Sequence, residues 1–188
     1  MKFEFTPVKD IIKDSSYFKD VKYGLYCWKL IEETNFNGFE NSENNRVIYV
    51  GKAEKYIADR FYDNHLNPIR NFSTFRRSIG AVLKDKLSLI ALPRIDSNGN
   101  IMYNAKNVYS NYRFNEDGEL KINQWIIDNL EYGFIELDSI IDIKEKEDNC
   151  KKIIKPCLNC KNDKSYNIYY SEIKRLRAVC REEAENNS

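Results

Sequence analysis

Seven glycines and four prolines are few for 188 residues, while thirteen tyrosines and ten phenylalanines are many. That balance excludes a collagen-like, linker-dominated or disordered chain, because there is ample apolar surface to bury. No apolar run approaches the roughly 18 residues that span a bilayer. The opening Met1-Lys2-Phe3-Glu4-Phe5 alternates charge with aromatics and forms no apolar signal segment. Neither a membrane protein nor a secreted one is expected. Five cysteines, an odd number at irregular spacing, fit reduced thiols in a cytoplasm better than a disulfide framework. Neither sign of charge dominates: 30 Lys and Arg against 29 Asp and Glu leave a net +1, so the chain as a whole is not a basic polyanion binder. The distribution is uneven, however. Residues 52–87 carry 8 positive and 4 negative side chains, 88–142 carry 4 and 9, and 143–161 return to 6 and 3. Two basic segments flank an acidic middle, which permits a basic face without a basic isoelectric point.

What is present reads as alternating short strands and helices. Residues 8–20 suit a short helix or loop. Tyr23-Gly24-Leu25-Tyr26-Cys27-Trp28-Lys29-Leu30 and Arg46-Val47-Ile48-Tyr49-Val50 have strand composition, the second stopped by Gly51, and form most simply an antiparallel pair. Ile57, Phe61 and His65 fall at helical spacing, with Pro68 ending the helix. Ser73-Thr74 caps a further helix carrying Phe75, Ile79, Val82 and Leu83 as its apolar stripe and Arg76-Arg77 beside it. A strand is expected over 87–92. Asn98-Gly99 and Asp117-Gly118 are hairpin-turn dipeptides, so 93–120 reads as inserted hairpins. A helix over 122–130, a strand over 132–137, a helix from about 142 to 154 closed by Pro156, and a last helix from about 171 to 183 complete the chain.

The tyrosines near the two strand ends, in Gly24-Leu25-Tyr26 and Tyr49-Val50-Gly51, lie on a paired hairpin where they can share one face. After them come Arg60-Phe61-Tyr62-Asp63-Asn64-His65-Leu66, then Ser73-Thr74-Phe75-Arg76-Arg77-Ser78-Ile79-Gly80, the helix around Trp125, Glu147, and Pro156-Cys157-Leu158-Asn159. In this order the motifs resemble the GIY-YIG nuclease superfamily, in particular its stand-alone bacterial or phage members of restriction type. Leu25 and Val50 replace the usual isoleucines, conservatively for a strand, and Cys157 replaces the second proline of a closing Pro-Pro-Leu-Asn.

The resemblance implies an α+β fold, a small three-stranded antiparallel sheet flanked by helices, with an inserted hairpin region and a C-terminal helix. Residues 1–188 are expected to form a single nuclease domain. Its core would span about 21–92 and 121–160, with the insertion at about 93–120 and a C-terminal helical extension at about 161–188. The resemblance further implies a divalent-metal-dependent endonuclease, a hydrolase of DNA phosphodiester bonds. Carried over residue by residue, Glu147 is the ligand of Mg²⁺ or Mn²⁺, ions that take oxygen donors and keep several waters. Arg60 clamps the charge growing on the phosphate, Tyr49 activates the attacking water and Tyr26 orients it. Lys52 is expected to favour the Tyr49 phenolate, and His65 to be a phosphate contact or alternate acid/base, against its packing under the helix end. Asn159 holds the site together by side-chain hydrogen bonds.

Arg76 and Arg77 are candidate contacts to the nucleic-acid backbone, which position a substrate without reading its sequence. The candidate for sequence reading is the insertion, with Tyr103, Asn104, Tyr109, Asn111, Tyr112 and Arg113, against a purely structural hairpin role for the same region. No zinc-finger spacing, helix-turn-helix or basic tail is seen. The expected partner is double-stranded DNA, cut by a cytoplasmic enzyme that pairs as a homodimer on the DNA, with no membrane partner. Cys157-x-x-Cys160, with Cys150 and Cys180, reads as small buried thiols more readily than as a zinc site. The alternative function is a nucleic-acid-binding protein on the same fold that does not cut.

Overall fold

A computed structural model describes residues 2–40, 46–67, 73–96, 98–103, 107–160 and 167–188. Pro68 and Asn104, named above, lie outside the described residues. The elements run β1 (Glu4–Pro7), α1 (Val8–Ile11), β2 (Gly24–Leu30), β3 (Val47–Ala53), a π-helix (Asp59–Leu66), α2 (Thr74–Leu87), β4 (Ala91–Leu92), β5 (Arg113–Phe114), α3 (Glu116–Asn129), β6 (Leu130–Glu136), α4 (Ile143–Ile154) and α5 (Tyr170–Asn186).

The main sheet has the order β1-β6-β2-β3, all antiparallel. Its three inner members are the expected hairpin β2–β3 and the strand from the 130s, and β1 extends it by a fourth short strand. β2 is central, and its alternation divides two apolar faces. Tyr26, Trp28 and Leu30 point into the larger core with Phe61, Phe75 and Ile126, while Leu25 and Cys27 meet Val50, Ile143 and Cys150 on the other side. β3 does not stop at Gly51. Its backbone pairs onward to Ala53 because the Tyr26 ring lies over Gly51, where any Cβ would collide with it.

The expected strand over 87–92 shrinks to two residues. α2 runs to Leu87 and ends on Ser88 at φ 52°, with Leu89 N–H returning to Lys84 O (2.9 Å), so only Ala91–Leu92 is left to pair with β5. Asp117-Gly118 is not a hairpin turn but the first turn of α3. Asn115 caps that helix by accepting from Gly118 N–H (3.2 Å), and Glu116, Asp117 and Glu119 face its positive end. Asn98-Gly99 does sit in a turn, with Ile95 bridged to Ile101 and Gly99 at φ 84°. α5 is part of the core through Ile173, Cys180 and Ala184, and the chain end is held by Asn187 Nδ2 donating to Ala91 O (3.0 Å).

The outer edge of β3 is covered by the Pro156–Asn159 segment. Leu158 N–H donates to Ile48 O (2.9 Å), and the Asn159 amide accepts from Val50 N–H (2.9 Å) and donates to Val50 O (2.8 Å).

Candidate active site

Tyr26 and Tyr49 are diagonal neighbours across β2 and β3, since Tyr26 pairs with Gly51 and Trp28 with Tyr49. Their rings lie 6.4 Å apart at 28°. Tyr26 is 3% exposed and Tyr49 half-buried. His65 sits behind them, enclosed by Tyr26, Trp28, Tyr49 and Phe75, whose ring centroids lie 5.1–6.1 Å from its own. Its Nε2 is 2.8 Å from Tyr26 Oη and its Nδ1 is 2.8 Å from Ser73 Oγ. Ser73 caps α2, accepting from Arg76 N–H at 3.2 Å. A hydrogen-bonded line therefore runs from the phenol through the imidazole to the start of a helix.

The π-helix explains the spacing of Arg60 and His65. Five residues apart, they would diverge on an α-helix, but the wider turn of i→i+5 bonding brings them back toward one side. Arg60 acts electrostatically on Tyr26, Tyr49 and His65. Burial, then Arg60 and Arg76, push the His65 pKa down to about 3, so the imidazole is neutral. Burial pushes the Tyr49 phenol up to about 12, with Glu147 raising it further and Arg60, Arg77 and Arg177 pulling it down. Tyr26 is raised well above 10, again chiefly by burial, with Tyr49 and Glu147 adding and Arg60 opposing. Tyr26, Tyr49 and His65 thus share one small space, and Arg60 and Glu147 are within electrostatic reach of both phenols.

Glu147 stands on α4, which packs on the opposite face of the sheet, and acts on the two phenols electrostatically. Ile143, Glu147, Cys150 and Ile154 form one face of that helix, and Ile143 and Cys150 are buried against β2 and β3. The Glu147 carboxylate, 13% exposed, lies 2.6 Å from Lys151 Nζ. It fits a divalent cation, being an oxygen donor in a half-closed site where a cationic nitrogen already sits. Asn159 stands outside the space, bound to the Val50 backbone one residue beyond Tyr49.

Four expectations are corrected. Lys52 cannot support Tyr49. Residues three apart on a strand face opposite ways, and Lys52 stands across from Leu25 and pairs with Glu54. The cations that act on Tyr49 are Arg60, Arg77 and Arg177. Arg76 is not a surface contact. It is 4% exposed and donates to Glu119 Oε2 (2.7 and 3.1 Å), Glu119 O (2.9 Å), Asn123 Oδ1 (2.9 Å) and His65 O (2.8 Å), so it ties α2 to α3 and to the π-helix. Tyr112, a candidate for reading bases, is buried and donates to Arg77 O (3.0 Å), whereas Tyr103 is 61% exposed.

Arg77, the other expected backbone contact, is likewise buried, at 7% exposed; it donates to Thr74 Oγ1 (3.2 Å) and acts electrostatically on Tyr49. Sequence reasoning missed Ser73 as the partner of His65, and it missed Arg177 and Lys151. Only Lys151 left a signal, since four residues after a glutamate on a helix is an ion-pair spacing. The cysteines are free, and no group of three or more metal-ligating side chains is found among the described residues.

A family model described as the GIY-YIG catalytic domain matches residues 17–179. The chain belongs to that family. No curated protein and no solved structure matches it significantly. GIY-YIG domains are nucleases, generally endonucleases that use divalent metals, so the substrate is a nucleic acid. The antiparallel sheet flanked by helices is the GIY-YIG fold anticipated from the motifs. No helix among the described residues is long and apolar enough to cross a membrane.

Proposed function

We propose that this protein is a divalent-metal-dependent endonuclease that hydrolyses DNA phosphodiester bonds, with double-stranded DNA as substrate and a restriction or defence role in the cytoplasm. The observation that carries the reading is the Tyr26–His65 hydrogen bond beside Tyr49, with Arg60 and Glu147 both acting electrostatically on the two phenols.

Glu147 would hold Mg²⁺ or Mn²⁺, which would polarise the phosphate and stabilise the leaving oxygen. Arg60 lies against the non-bridging oxygens, its planar fork matching their geometry. Arg77 and Arg177 add positive charge near Tyr49 and oppose the rise of its phenol. A phenol pushed up to about 12 is protonated at neutral pH, so Tyr49 orients the attacking water through its hydroxyl and does not serve as a standing phenolate. Burial holds Tyr26 protonated as well, so neither phenol is a standing base; His65 Nε2, 2.8 Å from Tyr26 Oη, fixes that phenol where it can orient the attacking water. A phosphate on Arg60 offsets that residue's part in holding His65 neutral, so substrate binding raises the basicity of the pair, while the larger effect of burial remains.

The Glu147–Lys151 ion pair is the one observation that favours a binding-only protein, since it neutralises the metal ligand internally. The deciding experiment is supercoiled plasmid with Mg²⁺ or Mn²⁺, with Glu147→Ala alongside. Cleavage by the wild type and a loss of at least about a hundredfold in the mutant are expected. Equal cutting by both removes Glu147 from the mechanism. An intact plasmid under every metal and salt condition favours the alternative.

A further inference from the structure

The ion pair at Glu147 has a use beyond neutralisation. Lys151 Nζ is 2.6 Å from Glu147 Oε1, both side chains are 13% exposed, and Asp148, 51% exposed, stands 3.7 Å from the same ammonium. One ammonium thus sits between two carboxylates on α4. A divalent metal approaching Glu147 in the free protein must displace that ammonium. A phosphodiester supplies the missing negative charge, and the lysine's flexible four-carbon stem lets its ammonium swing to that phosphate without any movement of α4.

We propose that Lys151 is a built-in counter-ion that closes Glu147 to the metal until a nucleic-acid phosphate takes the ammonium over, so that metal loading waits on substrate binding. The inference rests on Glu147 being the metal ligand. Its chemical consequence is an enzyme that carries no armed metal when no nucleic acid is bound. Lys151 acts through Glu147 and is a positioning residue. By linkage, the factor by which nucleic acid tightens the metal equals the factor by which the metal tightens nucleic acid.

The test is binding of Mn²⁺, read from the paramagnetic resonance of the free ion, with and without a short duplex whose phosphorothioate linkages keep the charge and slow hydrolysis. For wild type, the duplex is expected to tighten Mn²⁺ on the order of tenfold. Lys151→Met and Lys151→Gln, each checked for folding by thermal melting, should bind Mn²⁺ on the order of tenfold tighter than wild type without DNA and gain little from the duplex. Lys151→Arg should restore the dependence. If both neutral variants bind Mn²⁺ no more tightly than wild type while Glu147→Ala loses the site, the counter-ion role is overturned and the metal-ligand reading stands. Unchanged Mn²⁺ binding in Glu147→Ala overturns both.

Discussion

His65 shows how much one side chain's surroundings decide. Its protonation near pH 6.5 in an unfolded chain falls to about 3 in the folded one. Between these values the unfolded chain binds the extra proton, so acidification favours unfolding, and the stability that the neutral imidazole contributes is fully present only above about 6.5. From pH 7 to pH 5 this group alone should remove about 2 kcal/mol. Urea unfolding at both pH values, for wild type and His65→Gln, checks this. The variant should show a pH dependence flatter by about that amount, and identical slopes would refute the buried neutral state. As the only histidine, in a motif with Arg60, His65 was legible in the sequence as a site residue. Its partners Tyr26 and Ser73, at separations of 39 and 8, were recognised separately, one as a catalytic tyrosine and the other as a cap, and nothing local said that a single imidazole joins them.

At the scale of elements, burial is what the sequence conceals. Arg76-Arg77 beside an apolar stripe reads as a phosphate-binding pair, yet Arg76 is committed to Glu119, 43 residues later. Glu119→Ala should strand that guanidinium and cost about 3–5 kcal/mol, whereas Arg76→Met with Glu119→Leu should recover most of the loss. The recovery is incomplete because Glu119 Oε1 also accepts from Phe114 N–H (3.0 Å). Thermal or urea unfolding of the two variants beside wild type measures this, and a cost below about 1 kcal/mol for the single change would show the pair to be dispensable. The π-helix was equally hidden. Ile57, Phe61 and His65 satisfy an α-helical period, and only the placement of Arg60 beside His65 shows that the turns are wider. The Asp117-Gly118 turn failed for a local reason, since Asn115 outcompetes it as a helix cap.

Over the whole molecule, the β2–β3 hairpin and the helix after it were readable because their contacts are near in sequence. The third central strand, paired with β2 across about a hundred residues, was found as a strand but could not be seated by pattern alone, and β1 was not foreseen. The closing segment was read as a motif and is also a cover. With Asn159 on Val50 and Leu158 on Ile48, the free edge of β3 has no vacant ladder to offer there, and the opposite edge is a strand of four residues ending in Pro7. Two copies brought together on the two strands of a duplex would therefore have to meet through helices or loops, since continuing the sheet is barred on this side. It also follows that Asn159→Ala would do more than disturb Tyr49: it would leave the Val50 amide and carbonyl as a template for a neighbouring chain. Light scattering of that variant should show concentration-dependent association, and a monodisperse Asn159→Ala solution would mean that the edge is guarded by something else. In this protein, colloidal stability and the placement of Tyr49 depend on the same carboxamide.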